Sequence, residues 1–257
     1  MPTEVPVAFV YDGSTYAVMM ASPSALKDFA LGFSLSERIV TSAEEIVSLD
    51  VVELDKGIEL RMWLRPARGR NLAERRRHLA GPTGCGLCGV ESLDVALPRC
   101  PRVTAALTVT AADIAHALAT LPEAQVLNQQ TRAVHGASLW TRAKGLMAIA
   151  EDVGRHNALD KLIGRLYRDQ VRASDGLVVL TSRVSVEMVQ KAAVAGAPVV
   201  VAVSAPTTLA LETADQAGIT LVAIARADGF EVFTHPHRIA GAVAPAGTRT
   251  AEIEHAA

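Results

Sequence analysis

Leu177-Val178-Val179-Leu180, Val199-Val200-Val201-Ala202-Val203 and Leu221-Val222-Ala223-Ile224-Ala225 are three short apolar runs in the last third of the chain. Each is apolar at every position rather than at alternate ones, the pattern of a strand buried on both faces. The first leads into a helical pattern from Ser185 to Ala195, and the second into another from Thr208 to Ala217. Strands that alternate with helices imply a sheet covered by helices on both sides. Phe230 to Phe233 supplies a last short strand. Working upstream, Ala137 to Arg142 and Leu146 to Ala150 flank Lys144-Gly145 as a hairpin, and Asn157 to Tyr167 is helical with Ala158, Leu159, Leu162, Ile163 and Leu166 on one face. Thr110 caps a helix predicted from Ala111 to Leu121.

The first hundred residues follow a different rhythm. Val5 to Tyr11 and Ser14 to Met20 enclose Asp12-Gly13, a strong hairpin signal. Ser22-Pro23 has the cap and first-turn pattern of a helix running toward Arg38. A second hairpin runs Ile46 to Leu54, turns at Asp55-Lys56-Gly57, and returns through Ile58 to Leu64. Asn71 to Ala80 reads as a short polar helix, followed by the loop Gly81 to Gly89. The fold class expected is α/β: an N-terminal α+β region over 1–105, an α/β domain with a mixed sheet over 106–240, and a flexible tail over 241–257.

Composition narrows the function classes. The 257 residues are 50% hydrophobic but 4% aromatic, so the core is mainly aliphatic. A formal charge of -2 gives no general attraction to nucleic acid or to an anionic membrane. The N-terminus lacks the pattern of a secretion signal, and no apolar run reaches bilayer-spanning length. Three cysteines make no disulfide framework, so a reducing cytoplasm is the expected location.

Those cysteines carry the sharpest chemical signal. In Cys85-Gly86-Leu87-Cys88, glycines 84 and 89 lie on either side, removing side chains that would obstruct a partner. Sulfur chemistry requires a thiolate and access to it. Four readings fit: a zinc site with Cys100 and His78, a disulfide switch, a sulfur carrier or nucleophile, and a loop with incidental thiols. Spacing does not choose among them. Cys100, in Pro98-Arg99-Cys100-Pro101, reads as incidental, and Arg75 to Arg77 as a solvated face.

A second cluster is Glu151-Asp152-Val153-Gly154-Arg155-His156-Asn157. Its position after a hairpin and before a helix resembles the zinc deaminases, whose H-x-E motif is followed by P-C-x-x-C. Here Ala158 replaces the glutamate, and Thr181-Ser182-Arg183-Val184-Ser185 stands where the cysteines belong, so deaminase chemistry is excluded. Thr181 to Ser185 and Ser204 to Thr208 each follow a strand and open a helix. One alone reads as ordinary capping. Two at one edge of a sheet suit a phosphate-bearing ligand, with Arg183 and Ser204 as candidate contacts. Thr234-His235-Pro236-His237-Arg238 offers hydrogen bonds and a cation after a short strand; Pro236 between the histidines disfavours a metal there.

Thr83 to Glu91, Glu151 to Lys161 and Phe233 to Ile239 together resemble the FdhD family of formate dehydrogenase accessory proteins, a likeness running from Ala30 almost to the tail. The resemblance implies a sulfur carrier, or sulfurtransferase, that takes persulfide sulfur from a cysteine desulfurase on Cys85. It would pass that sulfur to a molybdenum cofactor bearing two pterin guanine dinucleotides, which is cargo rather than a resident group, for use by formate dehydrogenase. Cys88 would be helper or alternative acceptor. The cofactor-binding stretch falls on Phe233, Thr234, His235, Pro236, His237 and Arg238. A cytidine-deaminase-like C-terminal half and a homodimer are also implied, with no metal of its own. The rival expectation is an escort that binds and inserts the cofactor without carrying sulfur.

Overall fold

The computed structural model describes residues 1–66, 68–69, 99–226 and 228–241. The expected helix at Asn71 to Ala80, the glycine loop with Cys85 and Cys88, His78, and the tail beyond 241 lie outside the described residues.

Strands β1 (Val5–Tyr11) and β2 (Ser14–Ala21) form the first hairpin, with Asp12 and Gly13 both left-handed at the turn (φ 49° and 77°). Two left-handed residues give the turn whose twist matches that of the paired strands. Helix α1 (Leu26–Ser36) follows, then β3 (Ile46–Leu54) and β4 (Gly57–Leu64). The four strands make one sheet in the order β2-β1-β4-β3, with β1 parallel to β4. One face places Val7, Phe9, Tyr11, Leu60 and Met62 against α1, where the Phe9 and Phe33 rings stack at 4.0 Å.

Helix α1 departs from the sequence expectation. It starts at Leu26 behind a left-handed Ala25 rather than at Ser22-Pro23, and it ends at Ser36 before a left-handed Arg38. Ser22 caps nothing in this helix, because its amide, hydroxyl and carbonyl all bond to the distant segment Asp152 to Lys161.

The second half supplies β5 (Val109–Thr110), α2 (Ala111–Ala119), α3 (Leu121–Ala124) and α4 (Val126–Thr131). Thr110 and Asp113 form a capping box on α2, as the sequence predicts for Thr110. The helix expected to reach Leu121 stops two residues earlier, where Pro122 opens a new short turn. Hairpin β6 (His135–Thr141) and β7 (Gly145–Asp152) precedes α5 (Arg155–Arg168). Then come β8 (Leu177–Leu180), α6 (Val186–Val194), β9 (Val199–Ala202), α7 (Thr208–Ala217), β10 (Thr220–Arg226), β11 (Gly229–Val232) and β12 (Ile239–Ala240).

Six of these strands form a mixed sheet in the order β11-β10-β9-β8-β6-β7, with β8, β9 and β10 parallel and β6 antiparallel to both neighbours. The chain is therefore a mixed α/β protein, and both faces of this sheet are covered. Val178, Leu180, Val200, Ala202, Leu221 and Ala223 pack in one cluster with Leu159, Leu162, Val189 and Ala210 from helices α5, α6 and α7. Leu177, Val179, Val199, Val201 and Val222 pack with Ile114 and Ala117 of α2. Alternate residues of one strand thus serve opposite layers, which is why the runs are apolar throughout.

Helices α1 and α5 bring the two sheets into a single hydrophobic cluster. Their crossing is backbone on backbone: a Cβ added to Gly32 would lie 1.7 Å from the Asp160 carbonyl oxygen, and one added to Gly164 would lie 1.9 Å from that of Asp28. Glycine is required at both positions because no side chain fits between the helices.

Candidate functional site

The segment Glu151 to Lys161 spans the end of β7 and the first turns of α5. Its inward side is fully engaged. Asp152 and Lys161 are both 0% exposed, with Lys161 Nζ 2.5 Å from Asp152 Oδ2. Asp152 also accepts from Ser22 N at 3.0 Å, Gly154 N at 2.8 Å and Asn157 Nδ2 at 3.0 Å, while Lys161 donates to the Ser22 carbonyl at 2.9 Å. Burial pulls the Lys161 pKa below its usual value, opposed by the charge of Asp152. A second buried pair starts from the adjacent residue of α5, Asp160. Lys191 of α6 donates to both Asp160 oxygens at 3.0 Å, to Ser36 Oγ at 2.9 Å and to Glu37 at 2.8 Å. Burial works against the Lys191 charge, but Asp160 and Glu37 outweigh it and leave its pKa raised. These residues tie α5 to α1 and to β2; they are the frame of the site, since a buried pair broken on one side costs about 3–5 kcal/mol.

The outward side of the same segment is open. Strands β7 and β8 end at the same edge of the sheet, so α5 and α6 start side by side. His156 Nε2 lies 3.5 Å from Ser185 Oγ and 3.9 Å from Glu187. Burial, then the charges of Arg155 and Lys191, push the His156 pKa down to about 4, so its ring is neutral near pH 7. His135, at the start of β6, is also lowered, by burial and then by Arg155. Arg155 Nε is enclosed and has no hydrogen-bond partner among the described residues. An unmet buried donor of this kind costs about 1–3 kcal/mol, more when charged.

The loops expected to hold phosphate both lie at this edge, and Val184 and Pro206 form a bridge that holds them side by side. Their capping differs. Thr207 accepts from Ala210 N at 3.3 Å, the ordinary cap, whereas the Ser185 side chain caps nothing and faces His156. Ser204 O accepts from Ile224 N at 3.3 Å, where Ile224 takes a left-handed φ of 53° that a β-branched residue rarely adopts. Nothing in the sequence signals that conformation.

Phe233 to Arg238 is at the opposite end. Thr234 Oγ1 donates to the Ile219 carbonyl at 2.6 Å and accepts from Leu221 N at 2.9 Å, at the beginning of β10. Arg238 is buried and donates to the carbonyls of Gly218 at 2.9 Å and Ala105 at 3.3 Å. Those two side chains anchor the segment. His237 is exposed; Phe233, His235 and Pro236 are half-buried, and His235 Nε2 lies 2.8 Å from the Asp215 carbonyl oxygen. From Thr220 to Ile224 the strand rises roughly 13 Å, so these residues and the pair Arg183 and Ser204 do not share one pocket within the chain.

Cys100 is half-buried, and burial raises its pKa despite the opposing charge of Arg38, which makes it a poor nucleophile. Cys85 and Cys88 lie outside the described residues, as does His78 of the zinc reading. Among the described residues no group of three His, Cys, Asp or Glu side chains is placed to hold a metal, and no helix is long and apolar enough to cross a membrane.

Residues 2–240 match the model of the FdhD/NarQ family. A protein named sulfur carrier protein FdhD from Agrobacterium fabrum is 53% identical over 240 residues, covering 93% of this chain and 89% of its own. A protein of the same name from Brucella abortus is 52% identical with the same coverage. One from Xanthomonas oryzae is 47% identical over 237 residues, covering 92% of this chain and 84% of its own. A crystal structure from Desulfotalea psychrophila, provisionally described as a formate dehydrogenase accessory protein, superposes with a TM-score of 0.70 at 26% identity and covers 92% of this chain and 89% of that one.

Proposed function

Because the chain belongs to the FdhD/NarQ family, we propose that it is a sulfur carrier whose carrier residue is Cys85 and whose client is a formate dehydrogenase. The observation that carries this reading is the likeness to proteins named sulfur carriers, 53% identical over 240 residues. The family match spans Cys85. The chemistry of the cysteines points the same way: Cys100 is half-buried with a raised pKa, whereas the sequence neighbours of Cys85, Gly84 and Gly86, have no side chains to obstruct a partner. In the first step the Cys85 thiolate attacks the terminal sulfur of a desulfurase persulfide. The donor S–S bond breaks, the donor cysteine leaves as thiolate, and Cys85 becomes the persulfide. A cellular dithiol then reduces that persulfide: its S–S bond breaks, the dithiol becomes a disulfide, Cys85 returns as thiolate, and the outer sulfur is released at the sulfide level to the bis-guanine-dinucleotide molybdenum cofactor, which the protein would hold as cargo through the exposed parts of Phe233 to Arg238. The carrier works in the cytoplasm as a homodimer.

The test is formate dehydrogenase activity in cells lacking their own accessory protein. Wild type and Cys100→Ser restore activity, and Cys85→Ser does not. Full restoration by Cys85→Ser leaves the protein as a cofactor escort and removes the carrier role.

A further inference from the structure

We infer that Thr220 is a positioning residue for the stretch Phe233 to Arg238: its buried hydroxyl sets the backbone turn that presents His235 and His237, given the reading that this stretch holds the cargo. Thr220 opens β10 and is fully buried. In register with it on the neighbouring parallel strands stand Val199 and Leu177, both buried and apolar. Packing in that row asks for an aliphatic side chain, and a hydroxyl taken out of water costs free energy unless it is bonded. The Thr220 hydroxyl finds its partners in the stretch, not in the sheet. Oγ1 donates to the His235 carbonyl at 2.8 Å and accepts from Arg238 Nη1 at 3.3 Å.

The turn held by those bonds is one the chain resists. His235 has a left-handed φ of 46°, which a residue with a side chain rarely adopts. It also precedes Pro236, and a residue before proline is biased toward extended backbone. Strain of this kind persists only where the surroundings over-determine it, and it gathers at functional sites. Here the His235 carbonyl is held by Thr220 Oγ1 and, at 3.4 Å, by Arg238 N, while Nε2 of the ring donates to the Asp215 carbonyl at 2.8 Å. The His235 and His237 rings then sit edge to face with centroids 5.7 Å apart. Thr234 and Arg238 pin the ends of the turn, and the Thr220 hydroxyl fixes its middle. Without that hydroxyl the His235 carbonyl keeps only the longer bond, and the extended backbone favoured before Pro236 takes over. The anchors at either end remain, so the fold survives while the two imidazoles lose their arrangement.

The experiment titrates the folded full chain with guanosine diphosphate, the nucleotide portion of the proposed cargo, in wild type, Thr220→Val and Thr220→Ser. Histidine ring signals are followed by NMR, with His235→Gln and His237→Gln to assign them. Valine keeps the shape of the side chain and removes the hydroxyl; serine keeps the hydroxyl. Thr220→Val should move the His235 signals before any nucleotide is added and weaken binding by about tenfold, as expected for the loss of one or two hydrogen bonds. Thr220→Ser should keep the wild-type ring signals and bind within about twofold of wild type. Sulfur loading of Cys85 should be the same in all three, which keeps this result separate from the sulfur-carrier test. A hydroxyl that serves the fold alone would lower the denaturant midpoint of Thr220→Val and leave nucleotide affinity unchanged, which overturns the proposal. Wild type that binds no nucleotide, or binds it without shifts at His235 and His237, removes the cargo reading and the proposal with it. If Thr220→Val does not fold, Thr220→Ala is measured in its place; if neither folds, the hydroxyl belongs to the fold and the proposal falls.

Discussion

Two sides of one eleven-residue segment behave in opposite ways. On the inward side, Asp152, Asn157, Asp160 and Lys161 are buried and bonded to groups more than a hundred residues away, among them Ser22, Met20 and Ser36. On the outward side, Arg155 and His156 lie beside an uncapped helix start, and one arginine N–H is left unmet. The difference teaches that a dense run of polar residues need not be one site. Half of it fixes the geometry, and the other half is held in position by that frame.

The largest effect that breaks this contrast is at Lys161. Lys161→Met removes the cation from a fully buried carboxylate and should destabilise the protein by about 3–5 kcal/mol, read from the denaturant midpoint. A loss below about 1 kcal/mol would mean that the inward side is not the frame.

A smaller effect sharpens the contrast from the outward side. His156 titrates near 6.5 when unfolded and at about 4 when folded, so between those values only the unfolded chain holds the proton. Stability from this residue is therefore complete above pH 6.5 and is lost as pH falls toward 4. Its ceiling is about 3 kcal/mol, from 1.4 kcal/mol for each pKa unit. Asp160, which burial raises to about 6, acts with opposite sign over roughly pH 4–6. The clean measurement is accordingly the difference in stability between wild type and His156→Gln as pH is lowered. Wild type should lose more. Parallel curves would place His156 in solvent.

Much of the fold was legible because it rests on periodicity. Both N-terminal hairpins, the strand–helix alternation from β8 to β10 and the Thr110 cap all follow from local pattern. What failed was local pattern overruled by distant partners. Ser22-Pro23 has the look of a helix start, but Asp152 and Lys161 claim Ser22 from 130 and 139 residues away. The glycines at 32 and 164 gave no local signal, since their role exists only where two helices touch. For the site, the edge location of Thr181 to Ser185 and Ser204 to Thr208 was readable from strand order. The His156–Ser185 pairing and the position of Phe233 to Arg238 at the other end of β10 were not, because each depends on how loops meet in space.

The central claim is that Cys85 carries sulfur, and intact-protein mass tests it most directly. After incubation with a cysteine desulfurase and cysteine, wild type should gain one sulfur, about 32 Da, as a persulfide removed by reductant. Cys85→Ala should gain none. A gain of the same size in Cys85→Ala, or none in either protein, contradicts the account.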